Sequence, residues 1–76
     1  MEIRTEQIKI TTEFIKLQQL LKFSGAADIG SEAKDMVASG IVKVNGEVCT
    51  MSGKKLRPGD VAEICAEDIT LRLEVV

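Results

Sequence analysis

The dipeptide Asn45-Gly46 constrains the fold of this chain more than any other feature of its sequence. It stands in the stretch IVKVNGEVCT, between two runs rich in β-branched and apolar residues, 41–44 and 47–50. Asn-Gly tolerates positive φ at both centres of a two-residue turn, and such turns join antiparallel strands. The sequence therefore predicts a β-hairpin here.

Further strands are predicted on both sides of the hairpin. Residues 8–10 and 71–75 alternate apolar with polar side chains, which is typical of strands with one buried face. The stretch VAEIC, residues 61–65, predicts another strand after the turn RPGD, in which proline presets φ and glycine follows. The terminal strands are expected to pair within a sheet, because an isolated strand pair is marginal in water.

Residues 11–40 change to the apolar spacing of α-helices. The stretch TTEFIKLQQLLKFSG predicts a first helix, and its apolar face is formed by Phe14, Leu17, Leu20 and Leu21. Thr11 or Thr12 can cap the start of this helix, and Gly25 can end it. The stretch SEAKDMVASG predicts a second helix, with Ala33, Met36 and Val37 on one face, Asp28 or Ser31 as the cap and Gly40 as the stop. The predicted fold is α+β: two short helices, in a helix-turn-helix-like pair, packed on a small, mainly antiparallel sheet. Residues 1–76 are expected to form a single domain.

Composition removes several classes of function. Seventy-six residues with 45% hydrophobic content suit one small globular core, and no apolar run reaches the length of a membrane span. The N-terminus does not resemble a signal peptide, so a cytoplasmic location is expected. Cys49 and Cys65 have no histidine partner, because the chain contains none, and they are expected to be free thiols. We therefore expect no enzyme, no metal site, no cofactor and no small-molecule substrate.

Charge is segregated along the chain, although its net value is only −2. Residues 14–59 carry seven basic and four acidic side chains, whereas 60–76 carry one and five. The cations that flank the predicted turns and helix ends are candidates for phosphate contacts: Lys22, Lys34, Lys43, Lys54, Lys55 and Arg57. A solvated surface explains the same residues, so charge alone leaves both interpretations open. Phe14 and Phe23 are expected to pack in the core, and a structured RNA then fits better than stacked single-stranded bases.

The order of these parts resembles a known family. The resemblance lies in the order helix, turn, helix, followed by GIVKVNGEV and then GKKLRPGDVAEI. The chain resembles the RNA-binding domain named for ribosomal protein S-four, the alpha-L motif. Within it, the chain looks most like the small stand-alone bacterial proteins of the YaaA/YbcJ type. The resemblance covers about residues 13–64, with the terminal strands outside it. It implies a shared core formed by Val42, Val44, Leu56, Val61 and Ile64.

The resemblance also implies a function and a site. It implies non-catalytic binding of structured RNA, ribosomal or transfer RNA, as part of a ribosome or other ribonucleoprotein, through the helix pair and the hairpin. The RNA-binding residues implied are Lys22, Gly30, Ser31, Lys34, Lys43, Asn45, Lys54, Lys55 and Arg57. Many family members carry an arginine at the position of Gly30, and the stand-alone proteins often carry arginines at the positions of Met51 and Ser52, so this surface is less basic than is usual.

Two other functions stay open at this point. A protein–protein interaction module would use the same fold, the acidic C-terminal stretch and an open sheet edge. Binding of duplex DNA is disfavoured, since the second helix has no arginine, asparagine or glutamine to read base edges.

Overall fold

The structure, a computed structural model, describes residues 2–66 and 68–76 of the chain. Its elements in chain order are β1 (Glu2–Ile8), β2 (Ile15–Lys16), α1 (Leu17–Phe23), α2 (Gly30–Ala38), β3 (Val42–Val44), β4 (Glu47–Val48), β5 (Lys55–Leu56), β6 (Val61–Cys65) and β7 (Ile69–Val75).

The strands form two sheets, and the smaller one is a single two-stranded ladder. The larger sheet has the order β1-β7-β6-β3-β4, and the smaller ladder joins β2 to β5. All neighbours are antiparallel except β1 and β7, which run parallel. The predicted α+β fold with a mainly antiparallel sheet is confirmed.

Both predicted turns are confirmed by their backbone angles. Asn45 and Gly46 have φ of 52° and 87°, so the hairpin between β3 and β4 is built as the Asn-Gly dipeptide predicts. In RPGD, Gly59 has φ of 102°, and the Asp60 N–H donates to the Arg57 carbonyl at 2.9 Å. That hydrogen bond and a positive φ at the third position define a type II turn.

Helix α1 starts later than predicted, and the proposed caps are wrong. Ile15 and Lys16 are taken into β2 by pairing with β5, so the helix begins at Leu17 rather than after Thr11 or Thr12. The N-cap residue of α2 is Ile29, whose side chain makes no capping hydrogen bond, rather than Asp28 or Ser31. The ends agree with prediction, because Gly25 and Gly40 follow the two helices with positive φ.

One hydrophobic core lies between the helices and one face of the larger sheet, here called the inner face. The helix residues Leu17, Leu20, Leu21, Ala33 and Val37 are fully buried in it, and the inner face contributes the buried residues Val42, Val44, Ala62, Ile64, Leu73 and Val75. Strand alternation sends the residues between them to the opposite, outer face. Val61 lies on that outer face and is only half-buried, so its predicted place in the core is wrong.

Candidate nucleic-acid interface

The basic segment, residues 54–57, is fixed to the start of helix α1 through its backbone. The Leu17 N–H donates to the Lys54 carbonyl at 2.8 Å, and the Gln18 N–H donates to the Ser52 carbonyl at 3.0 Å. These carbonyls satisfy helix donors that would otherwise need a side-chain cap. The buried side chain of Leu56 anchors the segment from below. Lys54, Lys55 and Arg57 remain exposed on this rigid support.

Two lysines lie directly opposite each other where the basic segment pairs with β2. Lys16 is the antiparallel partner of Lys55, and both are exposed. Directly opposed like charges destabilise a ladder. The Lys55 ammonium lies 4.8 Å from the ring centroid of Phe14, within the range of a cation–π contact. This ladder therefore concentrates positive charge that a bound anion would stabilise.

Asp60 connects the hairpin turn to the turn that ends the basic segment. Its Oδ2 accepts the Arg57 N–H at 2.8 Å, and its Oδ1 accepts the Asn45 amide Nδ2 at 3.2 Å. The Asn45 Oδ1 in turn accepts the Val61 N–H at 3.0 Å. The backbone N–H of Arg57 and the Asn45 amide, helped by the charges of Lys54 and Arg57, hold the pKa of Asp60 below its usual value. Asn45 is thus linked to the basic segment through Asp60, which binds both the Asn45 amide and the Arg57 N–H.

Among residues 2–66 and 68–76, no carboxylate lies within ion-pair distance of the cations of the basic segment. In the part of the chain that the structure describes, the single ion pair joins Arg72 Nε to Glu74 Oε2 at 3.6 Å, and it lies on β7. Asp60 is near Lys54 and Arg57, but its oxygens are occupied by the two turns. No described carboxylate therefore competes by ion pairing with an external anion for the charges of the basic segment.

The other predicted site residues fall in three places. Lys22, in the last turn of α1, lines a groove together with Phe14 and Phe23. Gly30, Ser31 and Lys34 lie in the first turns of α2, and no hydrogen bond or ion pair among the described residues joins them to the basic segment. Lys43 lies on the outer face of the sheet, opposite Glu63. The structure thus joins Asn45, Lys54 and Arg57 around Asp60, and it places Lys43 apart.

Sequence reasoning missed two residues of this region. In the sequence Lys16 is only one of seven basic residues between 14 and 59, because nothing local indicates that it pairs with Lys55. Phe23 was expected in the core, yet its side chain is 74% exposed. Helical angles contain the missing signal: at 100° per residue, Phe23 lies about 110° away from the mean direction of Leu17, Leu20 and Leu21.

Comparison with known proteins identifies the family. The family model described as "S4 domain" matches residues 8–72. The chain belongs to the S4 domain family. A protein of Bacillus subtilis (strain 168), named "Probable ribosome maturation protein RlbA", is 42% identical over 57 residues, which are 75% of this chain and 80% of the relative. The family match includes all nine predicted site residues and extends well beyond the stretch from 13 to 64.

In residues 2–66 and 68–76, no group of three or more histidine, cysteine, aspartate or glutamate side chains is arranged to hold a metal ion. Among the same residues, no helix has both the length and the apolar character needed to cross a membrane. Cys49 and Cys65 are free thiols, each half-buried.

Proposed function

We propose that this chain binds structured RNA, without catalysis, through the basic segment and the elements that hold it. The observation that carries the proposal is a dense set of cations, Lys16, Lys54, Lys55 and Arg57, held on a rigid backbone with no carboxylate in ion-pair distance among the described residues. Phosphate groups release counterions when they meet such cations, so a few contacts supply much of the affinity.

Family membership supports RNA as the source of the phosphates. The relative in Bacillus subtilis is named as a probable ribosome maturation protein. We therefore propose ribosomal RNA, free or within a ribosomal particle, as the first ligand to test and transfer RNA as the second. Such a ligand implies a cytoplasmic location for this chain, as predicted from the sequence.

Helix α2 is proposed to supply a second set of contacts to the same RNA. Its first turn contains Gly30 and Ser31, and Ile29 leaves the terminal N–H groups without a side-chain cap. Uncapped N–H groups and the helix dipole favour an anion. Lys34, exposed one turn later, adds a positive charge. Lys22 at the end of α1 is proposed to contact the same RNA, because it lines a groove with Phe14, and Phe14 contacts Lys55 of the basic segment.

Lys43 is a weak candidate for the same surface. It lies on the face of the sheet away from the helices, and Glu63 opposite it offsets its charge. Lys43 is therefore proposed to contribute little, which makes it a useful control.

The test compares two triple variants of equal charge. Lys54→Gln, Lys55→Gln and Arg57→Gln together remove three charges from the basic segment. Arg4→Gln, Lys43→Gln and Arg72→Gln together remove three charges from the larger sheet. Each variant takes the net charge from −2 to −5, so any difference between them reflects position.

We expect the basic-segment variant to lose most of its affinity for a ribosomal RNA fragment in a salt titration. If each side chain contacts one phosphate, the slope of log K against log salt should flatten by about 2 to 3. The sheet variant should keep both affinity and slope. Equal affinity of the two variants, with both folded by circular dichroism, would exclude this surface as the RNA site.

A second candidate function is docking of a protein strand on the free edge of β1. This seven-residue strand is at the edge of the larger sheet: it pairs with β7 on one side, and no strand among the described residues pairs with its other side. Ile3 is 69% exposed there. Unpaired edges accept added strands. Partners that stay bound after nuclease treatment, and that also bind the basic-segment variant, would favour this function over RNA binding.

A further inference from the structure

The two aromatic residues of the chain, Phe14 and Phe23, line the same groove. The groove has a volume of about 530 Å³ and lies between the segment before α1 and the exposed side of that helix. This volume is within the range of about 300–1,000 Å³ that is usual for small-ligand sites. A chain with only two aromatic rings has thus placed both at one concave surface.

The groove is formed by parts of the chain that are firmly held. One wall starts at Ile10, whose N–H donates to the Val76 carbonyl at 3.0 Å, and ends at Ile15, which is buried and paired with β5. Between them, the Thr12 hydroxyl donates to the Phe14 carbonyl at 2.8 Å. The other wall is the exposed side of α1, whose opposite side is buried in the core. The groove therefore exists before any ligand binds.

Phe23 is the unusual residue of this groove. Its side chain is 74% exposed, although phenylalanine is usually buried on folding. Burial against a second flat π system would remove the ring from water. A nucleobase is such a system, and stacking on an aromatic side chain works with any base.

Positive charge surrounds the aromatic rings. Lys9 and Lys22 line the groove, and Lys55 lies over the Phe14 ring from the side of the basic segment. Among the residues that the structure describes, no carboxylate side chain lines it. A ligand with a flat ring and neighbouring negative charges is complementary to this arrangement.

We propose that the groove binds an unpaired nucleobase of the RNA, stacked on Phe23, with Lys9 and Lys22 contacting the adjacent phosphates. This inference rests on the proposed function and deepens it. The basic segment would bind the phosphates of a folded stem, and the groove would select stems that carry an unpaired nucleotide next to the bound region. Lys55, which contacts Phe14 and belongs to the basic segment, makes the two sites continuous.

The experiment uses two RNAs with the same stem, one blunt and one with a single-stranded extension, at one salt concentration. We expect the full chain to bind the extended RNA about 5- to 150-fold more tightly, the range given by one stacked base. Phe23→Leu keeps an apolar side chain and removes the aromatic ring, so it should reduce this preference to the part supplied by phosphate contacts of Lys9 and Lys22, with a much smaller effect on affinity for the blunt stem. Ile3→Ala, which alters an equally exposed apolar residue on β1, should keep the preference.

A second measurement locates the base directly. The unpaired position is replaced by 5-iodouridine, and irradiation should crosslink it to Phe23 or Phe14. Equal affinity of the full chain for both RNAs, or a crosslink elsewhere, would overturn the groove proposal while leaving RNA binding by the basic segment intact.

The proposed function fails in a different way, namely if neither RNA binds. An acidic peptide of alternating glutamate and phenylalanine is the remaining competitor for a basic aromatic groove. If that peptide perturbs the NMR signals of Phe23 at lower concentration than the extended RNA does, the groove is a peptide site and the proposal is overturned.

Discussion

On the outer face of the larger sheet Lys43 lies opposite Glu63, and Glu63 lies opposite Arg72. In the β2–β5 ladder, by contrast, Lys16 lies opposite Lys55. The first arrangement alternates in sign across three strands, and Arg72 is also paired with Glu74 along its own strand. The second places two cations side by side. The larger sheet and the β2–β5 ladder therefore differ in the cross-strand partners of their lysines: Lys43 lies opposite a carboxylate, and Lys16 lies opposite another lysine.

This difference indicates which side of the molecule is built for a charged partner. Opposite charges across a ladder contribute about 0.2–1 kcal/mol to stability, and like charges reduce it. The outer face therefore neutralises itself and gains nothing from an added anion. The β2–β5 ladder gives up stability that an anion between Lys16 and Lys55 would restore. Local rules of stability are often broken at functional sites.

The largest expected effect tests how firmly the β2–β5 ladder is held. Leu56 is fully buried and is the β5 residue that attaches the basic segment to the core. Leu56→Ala should lower the free energy of unfolding by about 2–5 kcal/mol, through lost apolar contact and the cavity left behind. Stabilities of about 0.05–0.15 kcal/mol per residue are usual, which gives about 4–11 kcal/mol for 76 residues, so this substitution would remove a large share of the total. Urea denaturation measures the change.

The control for this variant lies on the other ladder. Val48→Ala in β4 alters a side chain that is 58% exposed, and it should cost less than about 0.5 kcal/mol. If the two substitutions cost the same, the basic segment is not anchored by the core as described.

An intermediate effect is expected at Asp60, which joins the two turns beside the basic segment. Asp60→Asn replaces one acceptor oxygen with an amide group, so the bonds from Arg57 N–H and Asn45 cannot both be kept. Loss of one exposed, charge-assisted hydrogen bond should cost about 1 kcal/mol at pH 7. Urea denaturation of the variant and the parent chain, side by side, gives this difference.

The pH dependence of that difference has a definite sign. Hydrogen bonds from Arg57 and Asn45 lower the pKa of Asp60 from its ordinary value of 3.8. A carboxyl group whose folded-state pKa is lowered contributes stability that is complete above its unfolded value and disappears as pH falls through the folded value. The gap between the parent chain and Asp60→Asn should therefore be constant from pH 7 to about pH 5 and shrink below pH 3.8. A gap that widens on acidification would contradict this role.

The parts of the fold that were predictable carry their signals locally. Asn45-Gly46 and Pro58-Gly59 specify their turns through the φ angles that these residues tolerate, and the structure has both. Alternation in residues 71–75 identifies the buried side of β7 without knowledge of its neighbours. The same alternation places Lys43 between buried Val42 and Val44, so its position away from the core was also available from the sequence.

The parts that were not predictable depend on contacts between distant residues. Threonine is a good N-cap in isolation, but carbonyls of Lys54 and Ser52 bind the first donors of α1 and move its start to Leu17. The parallel pairing of β1 with β7 has no local signal either. The candidate site shares this limit. Its cations were visible in the sequence, whereas the opposition of Lys16 to Lys55 exists only once β2 and β5 pair.

The smallest effect tests the comparison of the two ladders most directly, because one type of substitution should give opposite signs. Lys16→Glu replaces a repulsion from Lys55 with an attraction and puts a negative charge at the start of α1, so stability should rise by about 0.5 kcal/mol. Lys43→Glu sets like charges opposite Glu63 and should lower it by a similar amount. Thermal denaturation at low salt resolves both changes, and added salt should shrink both. RNA affinity should move the other way for Lys16→Glu, falling as stability rises, and should hardly change for Lys43→Glu. If both substitutions changed stability in the same direction, cross-strand charge would not explain the difference between the larger sheet and the β2–β5 ladder. The Lys16–Lys55 pair would then not lower stability in the unbound chain.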